Sequence, residues 1–193
     1  MTTTPLETQV LGVLALCGGL LPQEQLDEMG QLVRAGEAGV ALENLSTQLH
    51  EYDVAVGQGL IKEIELIGRA MGLDSKYWSR LRLNQLCQAL GLQYEEQDWG
   101  IINADGRRLS EFIAYSDTNP LSETQSVELG GLILASANER LLSQEALPET
   151  FPAFLVRNGR EFEVQLGYWR NLQDEAEFPL GNWLRSNFSE TAT

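Results

Sequence analysis

The sequence predicts an α+β protein: an all-helical N-terminal domain, residues 1–91, followed by a smaller mixed domain, residues 92–193, with two antiparallel hairpins and a long helix. Three observations predict it. As far as Leu90, apolar residues recur every three or four positions, the spacing that gathers them on one face of a helix. From Gln93 period-two alternation takes over, around two Asx-Gly-Arg sequences at Asp105 and Asn158 of the kind that turn a hairpin. Between these, Ser122 to Ser143 restores a helical stripe.

The first helix is expected over Leu6 to Cys17, with Leu6, Val10, Val13, Leu14 and Cys17 inward, stopping at Gly18-Gly19. Pro22 suits the first turn of a second helix, where its missing N–H costs nothing, and Leu26, Met29, Leu32 and Val33 carry the stripe toward Gly36. Gly36 to Asp53 forms the third. At about 3.6 residues per turn, Ala38, Ala41 or Leu42, Leu45 and Leu49 line its buried side, while Glu43, Ser46, Thr47 and His50 face away. Glu37 falls in its first turn, where a carboxylate meets free N–H groups; the helix leaves by a polar exit, Glu51-Tyr52-Asp53. A link through Gly57-Gln-Gly59 leads to a fourth helix, Leu60 to Met71, ended by Gly72, and Asp74 caps a fifth that reaches Leu83 and extends toward Gly91.

Beyond Gln93, Trp99-Gly-Ile-Ile-Asn103 reads as a strand, Ala104-Asp-Gly-Arg107 as a turn, and Leu109, Glu111, Ile113 and Tyr115 as the alternating return strand. The helix of Ser122 to Ser143 turns Val127, Leu129 or Gly130, Leu134, Ala137 and Leu141 inward, and Pro148 and Pro152 close it off. A second hairpin follows: Phe154-Leu-Val-Arg157, the turn Asn158-Gly159, then Phe162, Val164, Leu166 and Tyr168 alternating with polar residues. The acidic loop Asp174 to Glu177 and Pro179 introduce a closing helix, Leu180 to Phe188. The Thr-rich ends, Met1 to Thr4 and Ser189 to Thr193, are expected to fray.

Composition excludes several classes. With 43% apolar and 21% charged residues the chain is a globular, folded one, and no stretch approaches the roughly 18–20 apolar residues of a membrane span. The apolar run Val10 to Cys17 is preceded by no Lys or Arg, unlike a signal peptide, so a cytoplasmic protein is expected. Cys17 and Cys87, far apart in apolar surroundings, read as buried free thiols. The net charge is −15, from 13 basic and 28 acidic residues, and residues 91–193 hold 17 of the acidic and 7 of the basic ones. Such a surface repels nucleic acid and anionic membranes and attracts basic proteins.

The chemistry-bearing residues point away from catalysis. His50 is the single histidine, so no histidine pair can hold a metal and no Ser-His or Cys-His pair forms without it. Gly57-Gln-Gly59 and Gly130-Gly131 lack the context of a phosphate-binding loop. A carboxylate-dependent hydrolase built on Glu95-Glu96-Asp98 or Asp174-Glu175-Glu177 is the enzymatic alternative. Arg157, Arg160, Tyr168, Trp169 and Arg170 interleave basic and aromatic residues as a nucleic-acid grip does, but acidic residues surround them.

Two groups of residues carry a family resemblance: Gly39-Val-Ala-Leu-Glu-Asn-Leu45 with Gln48-Leu49 and Glu51-Tyr-Asp53, and Gly72-Leu-Asp-x-Lys-Tyr-Trp78. Together, over about residues 6–83, they resemble the MafI-type immunity proteins of polymorphic bacterial toxin systems. The chain departs from that pattern at Ser46, where a cysteine is common, and at His50, where an aromatic residue is common. The resemblance implies a small cytoplasmic helical protein, not an enzyme and without cofactor or metal, that binds a cognate secreted toxin, often a nuclease, and keeps it from its target. The acidity is consistent with occlusion of a basic nuclease face, which takes about 800 Å² per partner and a few aromatic anchors. The alternative is an effector adaptor or chaperone that binds the toxin without inhibiting it.

Partner-binding candidates follow from charge and aromaticity: Glu95, Glu96, Asp98, Asp174, Glu175 and Glu177 for attraction, and Trp99 and Trp169 as anchors or, alternatively, core residues. In the family-like half, Glu43, His50, Glu51, Tyr52 and Asp53 form the corresponding edge, with Tyr52 alone more readily read as packed inward. Free of its partner the chain is expected to be a monomer or a homodimer.

Overall fold

A computed structural model describes residues 4–188. Its architecture corrects the expected α+β class: 71% of the described residues are helical and they form no sheet, making eleven α-helices and one 3-10 turn. Two compact units divide the chain, Met1–Leu92 and Gln93–Thr193.

The first unit holds α1 (Pro5–Leu16), α2 (Gln23–Arg34), α3 (Ala38–Glu51), α4 (Gln58–Met71) and α5 (Lys76–Leu90). Helix α3 packs against all four of the others. Its Ala38, Ala41, Leu42, Leu45 and Leu49 are buried as their spacing requires. Ser46, expected to face away, is only 1% exposed, because a helix enclosed on more than one side buries positions beside its main stripe. Glu37 occupies the N-cap position and makes no side-chain capping bond, so the expected help from its carboxylate in the first turn is not realised.

Local chemistry sets the ends of the other helices. Thr4, expected to fray, forms a reciprocal capping box on α1, its hydroxyl accepting from the Glu7 amide at 3.3 Å and its own amide donating to the Glu7 carboxylate at 2.6 Å. The remaining end residues lie outside the described ones. Pro22 stands just before α2 rather than inside it. In the turn between α4 and α5, Gly72 is left-handed at φ 72°, and Asp74 accepts from the Lys76 amide at 2.9 Å although Ser75 holds the cap position. Trp78, buried, lies over Gly68, where any added Cβ would sit 2.5 Å from the indole ring.

The second unit comprises α6 (Trp99–Ile102), a 3-10 turn (Gly106–Arg108), α7 (Leu109–Thr118), α8 (Glu123–Leu142), α9 (Thr150–Asn158), α10 (Glu163–Asn171) and α11 (Pro179–Asn187). Helix α8 packs against α6, the 3-10 turn, α7, α10 and α11. Every residue from Leu132 to Asn138 is buried, two turns that present no face to water. Polar groups in that stretch are partnered: the Ser136 hydroxyl accepts from the Asp105 amide at 3.1 Å, and Asn138 donates to the Glu177 carbonyl and accepts from the Leu180 amide, each at 3.2 Å.

Both expected hairpins are helical. In α7 the buried residues are Leu109, Phe112 and Ile113, and in α9 Phe151, Phe154 and Leu155, both sets at helical spacing. Phe162, Leu166 and Trp169 are likewise buried around α10, while Val164 and Tyr168, expected to share their face, are exposed. A second, helical period lay in the same residues, and packing on α8 selected it. Of the first expected strand only Trp99 is buried, Ile101 and Ile102 being exposed. The Asx-Gly pairs do not turn hairpins, since a type I′ turn needs positive φ at both central residues. Gly159 has φ −57° and Asp105 φ −149°. Gly106 is there for proximity, because a Cβ would come within 2.7 Å of the Arg140 backbone nitrogen in α8. Pro152 lies in the first turn of α9 rather than in a breaking loop.

The pair Gly130-Gly131 in α8 tests this packing. A Cβ at Gly130 would meet the Phe162 ring at 2.5 Å, whereas nothing lies within 4 Å of one at Gly131. Phe162 is itself buried and stacked on Phe154, so it has little room to yield. Gly131→Ala should stabilise the protein by about 0.5–1 kcal/mol through helix propensity, and Gly130→Ala should destabilise it by about 1–3 kcal/mol through overpacking. Urea denaturation of the two variants checks both signs.

Candidate functional site

Helices α2 and α3 are joined by Ala35, Gly36 and Glu37, with Gly36 at φ 90°, so the short connection makes an antiparallel helical hairpin. Between them runs a groove of about 630 Å³, lined by Gln25, Glu28, Met29, Gln31, Leu32, Ala35, Asn44 and Gln48. Met29 and Leu32 belong to α2's inward stripe and give the groove an apolar floor, Met29 fully buried and Leu32 partly. The rim is polar. Tyr52, the residue after α3, stands 54% exposed, and its hydroxyl accepts from Gln25 Nε2 at 3.0 Å, which fixes the ring at the groove's Gln25 end. Tyr52 is thus not packed inward.

The surroundings are strongly acidic. From the first residue through Asp53 the sequence has eight carboxylates, Glu7, Glu24, Asp27, Glu28, Glu37, Glu43, Glu51 and Asp53, against one cation, Arg34. Of the edge expected in this half, Glu51 and Tyr52 belong to the groove's neighbourhood, Glu51 accepting from the groove residue Gln48 at 3.4 Å. Glu43 and His50, both half-buried, share the side of α3 opposite Asn44 and Gln48 by helical rotation. Asp53, left-handed at φ 48°, instead accepts from Gln88 of α5 at 3.0 Å. Sequence reasoning missed the α2 side of the groove, Gln25, Glu28 and Gln31. The detectable signal was the single cation among the first 53 residues.

In the second unit the expected anchors are core residues. Trp99 is buried and its indole N–H donates to the Gln93 carbonyl at 2.9 Å, and Trp169 is buried edge-on to Phe178. The acidic residues beside them are at the surface: Glu96, Asp98, Asp174, Glu175 and Glu177 are exposed and Glu95 half-buried. Asp174 orders its loop by accepting from the Ala176 and Glu177 amides at 3.0 and 3.2 Å.

Positive charge, in contrast, is largely engaged internally. Arg107 pairs with Asp105, Arg108 with Glu111, Arg140 with Glu145 and Arg157 with Asp117. Arg185 donates to the carbonyls of Arg170 and Leu172, and Arg170 to that of Phe188. The basic and aromatic residues 157–170 therefore do not assemble as an open cationic patch, Trp169 being buried and two of the arginines engaged. In the first unit Glu65 bridges Arg69 and Arg82, the Arg82 side chain being 7% and that of Glu65 19% exposed. Burial pushes the Glu65 carboxyl up, but hydrogen bonds and charge from Arg82 and Arg69 outweigh it and hold the group below the usual glutamate range. Cys17 and Cys87 are buried free thiols, and burial raises Cys17 to about 11, leaving it unreactive as a nucleophile.

Among the described residues no group of three or more His, Cys, Asp or Glu is placed to hold a metal ion, and no helix is long and apolar enough to cross a membrane. No protein-family model, curated protein or solved structure matches the chain.

The Glu65 bridge sets a pH dependence. A carboxyl depressed on folding contributes stability that is complete above its unfolded pKa and is lost as pH falls through the depressed folded value. Glu65→Gln should cost about 2 kcal/mol at neutral pH, less than a fully enclosed pair because Glu65 keeps some contact with water. The difference between variant and wild type should close progressively below about pH 4.5 in urea denaturation followed at stepped pH.

Proposed function

We propose that this chain is an immunity protein that binds a cognate secreted toxin in the cytoplasm and neutralises it by occluding a basic active or substrate-binding face, the toxin being a nuclease. The observation that carries the reading is the excess of carboxylates. The chain has 28 acidic against 13 basic residues, and four arginines of the second unit are already matched one to one with carboxylates in ion pairs, so the field felt by an approaching protein is set by the surplus exposed carboxylates, such as Glu28, Asp98, Glu175 and Glu177. A nuclease must attract phosphate, so its working face is positive, and an acidic protein competes for that face on electrostatic terms alone. The resemblance of residues 6–83 to MafI-type immunity proteins supports the same reading. Inhibition of this kind makes and breaks no covalent bond, so it requires no catalytic group, cofactor or metal.

Co-expression with the toxin encoded immediately upstream should restore growth and yield a copurifying complex. Association should slow at least about tenfold between 50 and 500 mM salt, since the screening length of exposed charges falls from about 14 Å to about 4 Å over that range. A toxin that stays fully active in the presence of excess protein overturns the reading; if that toxin nevertheless copurifies, the chain is an adaptor.

A further inference from the structure

The geometry points to the α2–α3 groove as the seat of the partner, and to its occupant as a basic amphipathic helix of the toxin; this rests on the immunity reading above. The groove's α2 wall runs from Gln25 to the C-cap Ala35, ten steps of 1.5 Å each, or about 15 Å, the length of roughly three helical turns. Its floor is apolar at Met29 and Leu32, and its rim carries amides and a carboxylate, Gln25, Gln48 and Glu28. An incoming helix with an apolar stripe flanked by Lys or Arg matches both features, as a third helix laid along an antiparallel pair. Charge selects the sign of that partner. Glu24, Asp27 and Glu51 stand on the same two helices, and Arg34, at the far end of α2, is their only cation. Tyr52 supplies what an acidic trough alone lacks, an exposed aromatic ring held in orientation by Gln25, and tyrosine is among the residues that most often anchor an interface.

The test uses the full chain and, as probe, the C-terminal domain of the toxin encoded immediately upstream, with affinity measured by calorimetric titration. Three variants are compared: Glu28→Lys with Gln48→Lys at the groove, Tyr52→Ala at its end, and Glu175→Lys with Glu177→Lys on the second unit. The two charge pairs differ from wild type by similar net charge, so long-range attraction falls comparably in both, and circular dichroism verifies that each variant is folded. The proposal expects Kd to rise at least tenfold for the groove pair and for Tyr52→Ala, and less than threefold for the second-unit pair. Equal weakening by both pairs, or weakening by the second-unit pair alone, overturns the groove assignment while leaving toxin binding intact. Failure of the wild-type chain to bind the toxin at all removes the immunity reading and this proposal with it.

Discussion

Enclosing one helix on several sides is the constraint from which both units follow. A helix in that position keeps only part of its surface in water, and the residues on its enclosed sides must be apolar, small or hydrogen-bonded. In the first unit the enclosed helix is α3, packed against every other helix, and its neighbours bury Ser46 along with the leucine stripe. In the second it is α8, whose two completely buried turns place Ser136 and Asn138 inside but give each a backbone partner. Close approach of the surrounding elements then demands glycine at the contact points, as at Gly106 against Arg140 and Gly130 against Phe162.

The same economy shapes the surface. Cations are scarce, and many of those present are drawn into the fold: Arg82 and Arg69 on Glu65 between α4 and α5, Arg140 across the base of α8, Arg185 on two carbonyls near the end of α10. Arg107, Arg108 and Arg157 pair with carboxylates at the surface, where such pairs contribute little to stability, whereas the Glu65–Arg82 pair is largely enclosed. The family-like residues have a different part. Gly68, Gly72, Asp74 and Trp78 form one packing device at the α4–α5 turn, so that motif reports how the unit folds, whereas Tyr52 stands exposed at the end of the α2–α3 groove.

How much was legible depended on whether a segment contained one hydrophobic period or two. In α3 the apolar residues fit a single helical stripe, and the buried set was readable, Ser46 apart; in α4 Ile61, Ile64 and Ile67 are buried, but Leu66, counted with them from the sequence, is exposed. In Phe162 to Tyr168 alternation and a helical i, i+4, i+7 set coexist, and the sequence does not say which neighbour will cover them. The Asx-Gly pairs misled for a related reason. Glycine is required both where φ is positive and where a backbone comes close, and only the position of Arg140 distinguishes the two at Gly106. Of the candidate site, the acidity and the polar exit at Tyr52 were visible in one dimension. The groove was not, because it is made by two helices facing each other and half its wall comes from α2.

What the sequence determined by itself is therefore local: the five helices of the first unit, the Gly72 and Gly91 stops, the excess of carboxylate. Each follows from spacing, backbone freedom or charge within a few residues. Tertiary structure alone decided that the second unit is helical, that Trp99 and Trp169 are interior, and that α2 and α3 leave a trough between them. These depend on which surfaces meet, and burial against a distant element outweighs a local preference for alternation because covering an apolar side chain is worth about 1.5–3 kcal/mol, more than intrinsic strand preference supplies.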